Sequence, residues 1–334
     1  MDTILLKLIQ HKKDFFEKML LNKESVKTFN EIDYKITEKE IASAINKLKN
    51  KKAVGLDSIS YEMIKCGKTI LMPGLLKIFN LILSSGNYLS EWNIGYLKPL
   101  FKGNDPNDPS NYRGISIMPC LSKVFKSILN ERLLILMPKA RTCNHMFVVK
   151  TLTEKYLNNG IKIFACFVDF AKAFDTVIHS ILLNKLCDIR ITGPFYMTIS
   201  IKDMYSSNYM HIRLKDTLTE MFMPKIGLRQ GDNLSPNLLK LYLYNLPQCF
   251  GEADDQVTLK NCKFSCLLYA DDLVLLSTSE QGLQSCLYKL SQYSDKYGLS
   301  VNLNKTNIYK YLGIIFSSSG TFSHCQNDKK SLEK

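Results

Sequence analysis

The feature that most constrains the fold of this chain is a pair of adjacent acids, Asp271 and Asp272, between two apolar runs. The runs at 264–269 and 273–277 have the length and composition of strands, which predicts a β-hairpin with both acids at its tip. Two carboxylates on one turn favour a divalent cation, because Mg²⁺ prefers carboxylate oxygens. The alternative is a solvated Asp-Asp turn, since acids are common in turns.

A third acid, Asp169, lies at the end of the apolar run 161–170. A carboxylate at the end of a buried strand costs free energy unless it is paired or bound to a metal. Neighbouring strands of one sheet would bring Asp169 beside Asp271 and Asp272, so these three acids are the candidate catalytic and metal-binding residues. Asp175 precedes a predicted helix and is interpreted as its N-cap rather than as a catalytic group.

Two further segments have the features of a nucleotide contact. Lys102 and Arg113 flank a polar loop, where a lysine as a point charge and a bidentate arginine are suited to a triphosphate. A glycine-rich loop at 227–236 offers the amide side chain of Gln230 and, at Gly231, a backbone that can approach a ligand closely.

Composition limits the class of protein. With 334 residues, 46% apolar and 22% charged, the chain is predicted to be globular. No run of eighteen apolar residues and no signal-peptide pattern occur, which predicts a soluble intracellular protein with no membrane partner, in either nucleus or cytoplasm. Zinc is not predicted, because Cys262 and Cys266 lack a second Cys/His pair with ligand spacing.

The net charge of +13 is distributed unevenly. Residues 1–150 contain 24 Lys/Arg against 14 Asp/Glu, whereas residues 151–334 contain 20 against 17. A basic region beside a nearly neutral region that holds the acids indicates that one part binds a polyanion and the other acts on it. A well-solvated basic surface explains the same distribution.

Amphipathic patterns predict several helices. They follow a capping box at 37–40, occupy 73–83, 121–136 and 177–189, and follow Ser279. In the helix at 121–136, Lys123, Lys126 and Arg132 are predicted to face outward. Residues 299–302 alternate like a strand.

Six segments of the chain, in order within a resemblance that runs over residues 36–322, are similar to motifs of the reverse transcriptases of non-LTR (LINE-type) retrotransposons. Each motif is weak alone, but the ordered set is specific, and group II intron enzymes fit less well in the fingers and motif D. The matching residues are Asn111, Tyr112, Arg113, Ile115 and Ser116 (fingers), Asp169 with Lys172, Ala173, Phe174 and Asp175 (motif A), Gln230, Gly231, Leu234, Ser235 and Pro236 (motif B), Tyr269, Ala270, Asp271 and Asp272 (motif C), Gly298, Leu299, Val301, Asn302, Lys305 and Thr306 (motif D), and Tyr311, Leu312 and Gly313 (motif E).

The resemblance implies an α+β right-hand polymerase. Its parts would be an N-terminal helical extension (1–52), fingers (53–160), a palm made of an antiparallel sheet backed by helices (161–316) and a C-terminal tail (317–334), with no thumb. The implied activity is RNA-directed DNA synthesis on an RNA template with a DNA primer and dNTPs. Two Mg²⁺ ions, or Mn²⁺ in their place, would activate the 3′-hydroxyl and neutralise the leaving pyrophosphate.

The resemblance also implies roles for individual residues. Phe174 would be the steric gate against a ribose 2′-hydroxyl, Gln230 would pack on the incoming dNTP, and Lys305 would act near the pyrophosphate. The primer grip would consist of Tyr311, Leu312 and Gly313.

The sequence departs from the family in ways that bear on activity. A template-contacting segment after Pro138 is missing, and Gly114 and Tyr244 replace residues that are usually Pro and Asp. Only four residues separate Thr306 from Tyr311, a reach of about 14 Å, so the primer grip is expected to be displaced. The alternative function is therefore a decayed, internally deleted copy that keeps the palm fold and binds nucleic acid without catalysis.

Overall fold

The computed structural model describes residues 34–136, 151–152, 154–156, 158–189, 204–205, 208–251, 255–259, 262–269, 271–303 and 306–311. The α-helices with described bounds are α1 Glu38–Asn46, α2 Tyr61–Cys66, α3 Lys68–Ser85, α4 Cys120–Leu136, α5 His179–Asp188, α6 Ser235–Tyr242, α7 Leu246–Cys249 and α8 Glu280–Tyr297. The strands are β1 Ile94–Phe101, β2 Tyr112–Ile117, β3 Ile163–Asp169, β4 Tyr209–Leu214, β5 Thr217–Leu218, β6 Val257–Leu259, β7 Cys262–Phe264, β8 Cys266–Tyr269, β9 Asp272–Ser277 and β10 Asn307–Tyr311.

The chain divides into two compact units, each with its own four-stranded sheet, and a two-stranded sheet of β6 and β7 lies in the unit that holds the acidic hairpin. Of the described residues, those within 34–136 and 174–242 form the mixed-sheet unit, and those within 151–173 and 243–311 form the hairpin unit. These units are groups of residues in mutual contact, and they do not test the bounds of the fingers, the palm, the N-terminal extension or the tail, which stay a prediction.

The hairpin unit contains an antiparallel sheet in the order β10-β3-β9-β8. The predicted acidic hairpin is confirmed, because β8 and β9 pair antiparallel and Tyr269 lies opposite Asp272. The first strand is shorter than predicted. Ser265 separates it from β7, which the preceding residues form, although the Ser265 carbonyl still accepts a hydrogen bond from the backbone of Leu276 on β9 at 2.7 Å.

Helices back this sheet, as predicted. Helix α8 begins with the side chain of Ser279 accepting a hydrogen bond from the backbone of Gly282, and it ends at Gly298 in the left-handed conformation. Its buried apolar side chains include Leu283, Leu287 and Leu290, at helical spacing. This packing covers one side of the strands that carry the acids, so the positions of the acids depend on a buried core.

The mixed-sheet unit contains a sheet in the order β2-β1-β4-β5, in which β1 pairs antiparallel with β2 and parallel with β4. An aromatic cluster lies in its core, where the ring of Phe79 is 5.2 Å from that of Phe125 and 5.9 Å from that of Trp92. Phe125 belongs to α4, which is predicted correctly as a helix. The helix predicted at 73–83 begins earlier, at Lys68.

The prediction that Lys126 and Arg132 face outward from α4 is wrong, because each is only 1% exposed. Lys126 Nζ lies 2.6 Å from Asp232 Oδ2, in a pair that is buried on both sides. Arg132 donates two hydrogen bonds to the carboxylate of Glu40, at 2.8 and 3.1 Å, and one to the backbone oxygen of Tyr34. The helical period places both cations on the inward side, and acids on other elements make their burial tolerable.

These pairs predict a loss of stability in acid. Burial alone would raise the pKa values of both acids. Lys126 and Arg229 instead hold the pKa of Asp232 below its ordinary value of 3.8. Arg132 holds the pKa of Glu40 below its ordinary value of 4.5. Carboxylates with lowered pKa values stabilise the fold above the unfolded-state pKa, and this contribution is lost as the pH falls through the folded-state value. The free energy of unfolding in urea should therefore fall steeply below about pH 4. Glu40→Gln should lower it at pH 7 and make the acid dependence shallower, and an unchanged acid dependence would contradict this assignment.

Among the described residues, one helix, α3, is long and apolar enough to cross a membrane by length and composition alone. Core helices of globular proteins meet the same two criteria. The helix buries Leu75, Phe79, Ile82 and Leu83 within the mixed-sheet unit. The prediction that a membrane is not a partner stays a prediction.

Candidate active site

The three candidate acids lie at one end of the sheet in the hairpin unit. Asp169 is the last residue of β3 and Asp272 is the first residue of β9, and the two are direct cross-strand partners. Antiparallel partners have Cα atoms about 4.5–5.5 Å apart. Asp271 occupies the turn just before β9. The sheet order thus brings together two acids that are 103 positions apart in sequence.

The three acids carry like charges, which repel one another. The pKa of Asp272 is raised above its ordinary value, chiefly by partial burial and further by the carboxylates of Asp271 and Asp169. A divalent cation would offset this repulsion, and carboxylate oxygens are the ligands that Mg²⁺ prefers. The donor set therefore fits such an ion. The described residues contain no ready-made cluster of three His, Cys, Asp or Glu ligands, so a shared metal site stays a prediction.

Two residues that follow α8 along the chain, Asn302 and Thr306, contact Asp169 directly. The predicted strand at 299–302 is reduced to a single bridge between Phe170 and Val301. Asn302 donates from its backbone to the backbone oxygen of Asp169 at 2.8 Å and from its side-chain amide to Asp169 Oδ2 at 3.1 Å. Lys305 lies outside the described residues, and its role stays a prediction.

The predicted primer grip is described only in part. Tyr311 is the last residue of β10 and pairs with Ile163, at the start of β3. Asp169 ends the same strand six residues later, or about 20 Å away at 3.4 Å per residue. Leu312 and Gly313 lie outside the described residues, so the role of all three as a primer grip stays a prediction.

In the mixed-sheet unit, Lys102 and Arg113 lie at the two ends of the β1–β2 loop, as predicted, and both are exposed. The backbone of Lys102 donates to the oxygen of Asn111 at 2.8 Å, which closes the loop. Arg113 lies opposite Leu100 and so shares a face of the sheet with Lys98, two residues before Leu100. Strand alternation adds an exposed cation that the sequence interpretation missed.

A second missed cation is Arg213 on β4. Tyr96 pairs with His211, two residues before Arg213, and the guanidinium carbon of Arg213 lies 5.2 Å from the centre of the Tyr96 ring. Arg213 therefore lies on the same face as Lys98 and Arg113. We call this set of three cations the basic face. Only the pairing of β1 with β4 reveals the third member.

The glycine-rich loop docks against two neighbouring segments of the same unit. The backbone of Gln230 accepts a hydrogen bond from Ser116 at 2.7 Å, and its side-chain amide donates to Asp175 at 3.0 Å. Leu228 donates to the backbone oxygen of Phe174 at 2.6 Å. Gln230, Gly231 and the segment that carries Phe174 are thus held together with the end of β2.

The prediction that Asp175 caps a helix is wrong. Helix α5 begins at His179, and Ile178 is its N-cap without a side-chain hydrogen bond. Residues 171–176 form turns, which move the helix start away from Asp175. The carboxylate of Asp175 binds Gln230 instead.

Buried charged side chains also hold the glycine-rich loop in place. Besides the Lys126–Asp232 pair, Arg229 donates to Asn208 Oδ1 at 2.8 and 3.1 Å, to Asn93 Oδ1 at 3.1 Å and to the backbone of Met204 at 2.7 Å. Arg229 and Asp232 flank Gln230 and Gly231 in sequence. No sequence pattern indicated these contacts, because their partners lie far away along the chain.

Gly231 is expected to tolerate no side chain. Its φ is +99°, and an added Cβ would lie 3.1 Å from the backbone oxygen of Ser116. Gly231→Ala should therefore lower the free energy of unfolding by about 3 kcal/mol. Gly103→Ala is the matched control, because its φ is +121° but nothing lies within 4 Å. It should cost about 1 kcal/mol, for the backbone conformation alone. Equal losses in urea unfolding would contradict the close approach to β2.

An antiparallel sheet backed by helices, with acids from a hairpin and a neighbouring strand at one end, is the arrangement of a polymerase palm. The sequence model of the family described as reverse transcriptase (RNA-dependent DNA polymerase) matches residues 102–316. The chain therefore belongs to the reverse transcriptase family, and its relatives are the enzymes of non-LTR retrotransposons.

The probable RNA-directed DNA polymerase from transposon BS of Drosophila melanogaster is 27% identical over 299 residues, which cover 81% of this chain and 32% of that protein. The corresponding protein from transposon X-element is 25% identical and covers 80% of this chain and 31% of that protein. This chain thus spans about a third of the length of these curated relatives.

The solved structure of telomerase from Candida tropicalis in complex with a TWJ fragment of telomeric RNA has a similar fold. Its TM-score is 0.50 at 13% identity, and the match covers 75% of this chain and 45% of that chain. Together with the antiparallel sheet backed by helices, this likeness confirms the predicted α+β polymerase fold. Enzymes of this family use divalent metal ions.

Proposed function

We propose that this chain is an RNA-directed DNA polymerase of a non-LTR retrotransposon, which adds dNTPs to the 3′-hydroxyl of a DNA primer on an RNA template. The observation that carries the proposal is the cross-strand pairing of Asp169 with Asp272 beside Asp271. The family membership of the chain supports it. We propose two Mg²⁺ ions as cofactors, with Mn²⁺ as a substitute.

In this proposal, Asp169, Asp271 and Asp272 hold the divalent ions. Bound there, the ions would supply charge neutralisation at the attacking hydroxyl and the leaving pyrophosphate. Asp169 and Asp272 would be held in place by the backbone pairing of β3 and β9, so little ordering is needed when ligands bind.

The mixed-sheet unit would bind the nucleotide and the template. Its exposed cations would neutralise the charge of the phosphates. Lys102 and Lys98 would act as point charges, and Arg113, on the same face as Lys98, would act as a bidentate hydrogen-bond donor. Gln230 is oriented by Asp175, which keeps its amide in one position for packing on the incoming dNTP.

Primer extension tests this function. The full chain should extend a labelled DNA primer annealed to an RNA template with four dNTPs and Mg²⁺, and EDTA should stop it. The double variant Asp271→Ala with Asp272→Ala sets the background. Extension no higher than this background would contradict the proposal, and retained binding of the RNA–DNA duplex would then favour the decayed-copy alternative.

The steric-gate role of Phe174 predicts a change in sugar selection. Phe174→Val should raise the ratio of ribonucleotide to deoxyribonucleotide incorporation about 10- to 100-fold, because removing apolar bulk from a binding pocket changes discrimination on this scale. Phe222→Val is the matched control, since Phe222 is an exposed aromatic residue of the same unit. An unchanged ratio in single-nucleotide kinetics would remove Phe174 from this role.

A further inference from the structure

Asn302 contacts Asp169 in two ways. Its backbone N–H donates to the Asp169 carbonyl oxygen at 2.8 Å, and its side-chain Nδ2 donates to Asp169 Oδ2 at 3.1 Å. Two neighbouring bonds strengthen the attachment. Ala171 donates to the backbone oxygen of Ser300 at 2.7 Å, and Asp169 donates from its backbone to Thr306 Oγ1 at 3.4 Å. The end of β3, at Asp169 and Ala171, therefore holds Ser300, Asn302 and Thr306.

The hydrogen bond from the Asn302 side chain fixes the orientation of the Asp169 carboxylate, which the backbone bonds do not. Rotation of an aspartate carboxylate about its Cβ–Cγ bond has only a broad, two-fold preference, so the torsion itself does not fix the oxygens. A donor on Oδ2 selects one orientation, and an amide does so without adding a charge that would compete with a cation. Partners of this kind orient metal ligands and are worth about 10- to 100-fold in metal affinity or activity.

We propose that Asn302 is a positioning residue, which orients the carboxylate of Asp169 for a divalent cation. This inference rests on the proposed function, because it takes Asp169 as a metal ligand. Asn302 itself contacts neither substrate nor metal in this scheme. It acts through Asp169 alone.

Binding of Mn²⁺ to the full chain, followed by the electron paramagnetic resonance signal of free Mn²⁺, tests the inference without any turnover. Asn302→Leu has the same branched shape and the same number of side-chain heavy atoms, and it keeps the backbone bond but lacks the amide. It should raise the dissociation constant about 10- to 100-fold. Asn302→Gln keeps an amide that is displaced by one methylene, and it should weaken binding at least about threefold. Asn159→Leu, an exposed asparagine of the same unit, should bind Mn²⁺ like the wild type.

The outcomes separate this inference from the proposed function. Weaker Mn²⁺ binding in folded Asn302 variants supports the positioning role even if the wild type extends no primer. If the wild type extends primers, Asn302→Leu should raise the Mg²⁺ concentration for half-maximal rate more than it lowers the rate at saturating Mg²⁺. Should Asn302→Leu fail to fold, Asn302→Gln decides. The inference would be overturned if the folded Asn302 variants bound Mn²⁺ as tightly as the wild type. It would also be overturned if Asp169→Asn bound Mn²⁺ as tightly as the wild type.

Discussion

The Asp272→Asn variant is expected to lose at least about 1000-fold in the rate of primer extension while its melting temperature in EDTA does not fall. The first effect follows from losing a metal ligand, and about 4 kcal/mol of transition-state stabilisation corresponds to 1000-fold. The second follows because partial burial, Asp271 and Asp169 raise the pKa of Asp272. An acid whose pKa is raised by folding destabilises the fold at neutral pH, so removing its charge relieves repulsion.

Asp295→Asn is the matched control for this variant. Asp295 is an exposed acid on α8 in the same unit, and the substitution makes the same chemical change. It should leave primer extension and melting temperature at wild-type values. Equal activity of Asp272→Asn and Asp295→Asn would contradict the assignment of Asp272 as a metal ligand.

The Lys126→Met variant is expected to lose about 3–5 kcal/mol of unfolding free energy, because it leaves a buried carboxylate without its cation. Burial, with Arg229 nearby, lowers the pKa of Lys126 to about 8, while Asp232 opposes the shift and keeps the pair charged at neutral pH. The double variant with Asp232→Leu should be less destabilised than Lys126→Met alone, since an apolar replacement removes both charges from the core.

The exposed ion pair Lys47–Glu131 is the control, because Glu131 lies on the same helix and its pair is about half exposed, at 52% and 56%. Glu131→Gln should change the unfolding free energy by less than about 1 kcal/mol. Urea unfolding measures all of these differences. Equal losses for Lys126→Met and Glu131→Gln would contradict the stabilising role of the buried pair.

Local sequence was enough to predict the elements that carry the acids. Two apolar runs around Asp271 and Asp272 specify a hairpin, and the run before Asp169 specifies a strand, because both signals lie within a few residues. That β3 and β9 are neighbours is not a local property. Family resemblance favoured it, and the register of Asp169 with Asp272 bears it out.

The failures share a physical cause, which is a partner that is remote in sequence. Charge alone suggested that Lys126 and Arg132 face water, but their acids lie 106 and 92 positions away. Helical spacing from Phe125 and Leu129 already places both cations on the inward face, so periodicity was the better guide. Only the strand pairing shows that Lys98 and Arg213 belong to the basic face.

Anomalous diffraction from crystals of the chain grown with Mn²⁺ tests the central claim most directly. We expect anomalous peaks within coordination distance of carboxylate oxygens of Asp169, Asp271 and Asp272, and we expect Asp169→Asn to abolish them. Mn²⁺ bound elsewhere, with these three side chains free of metal at concentrations that saturate other sites, would contradict it.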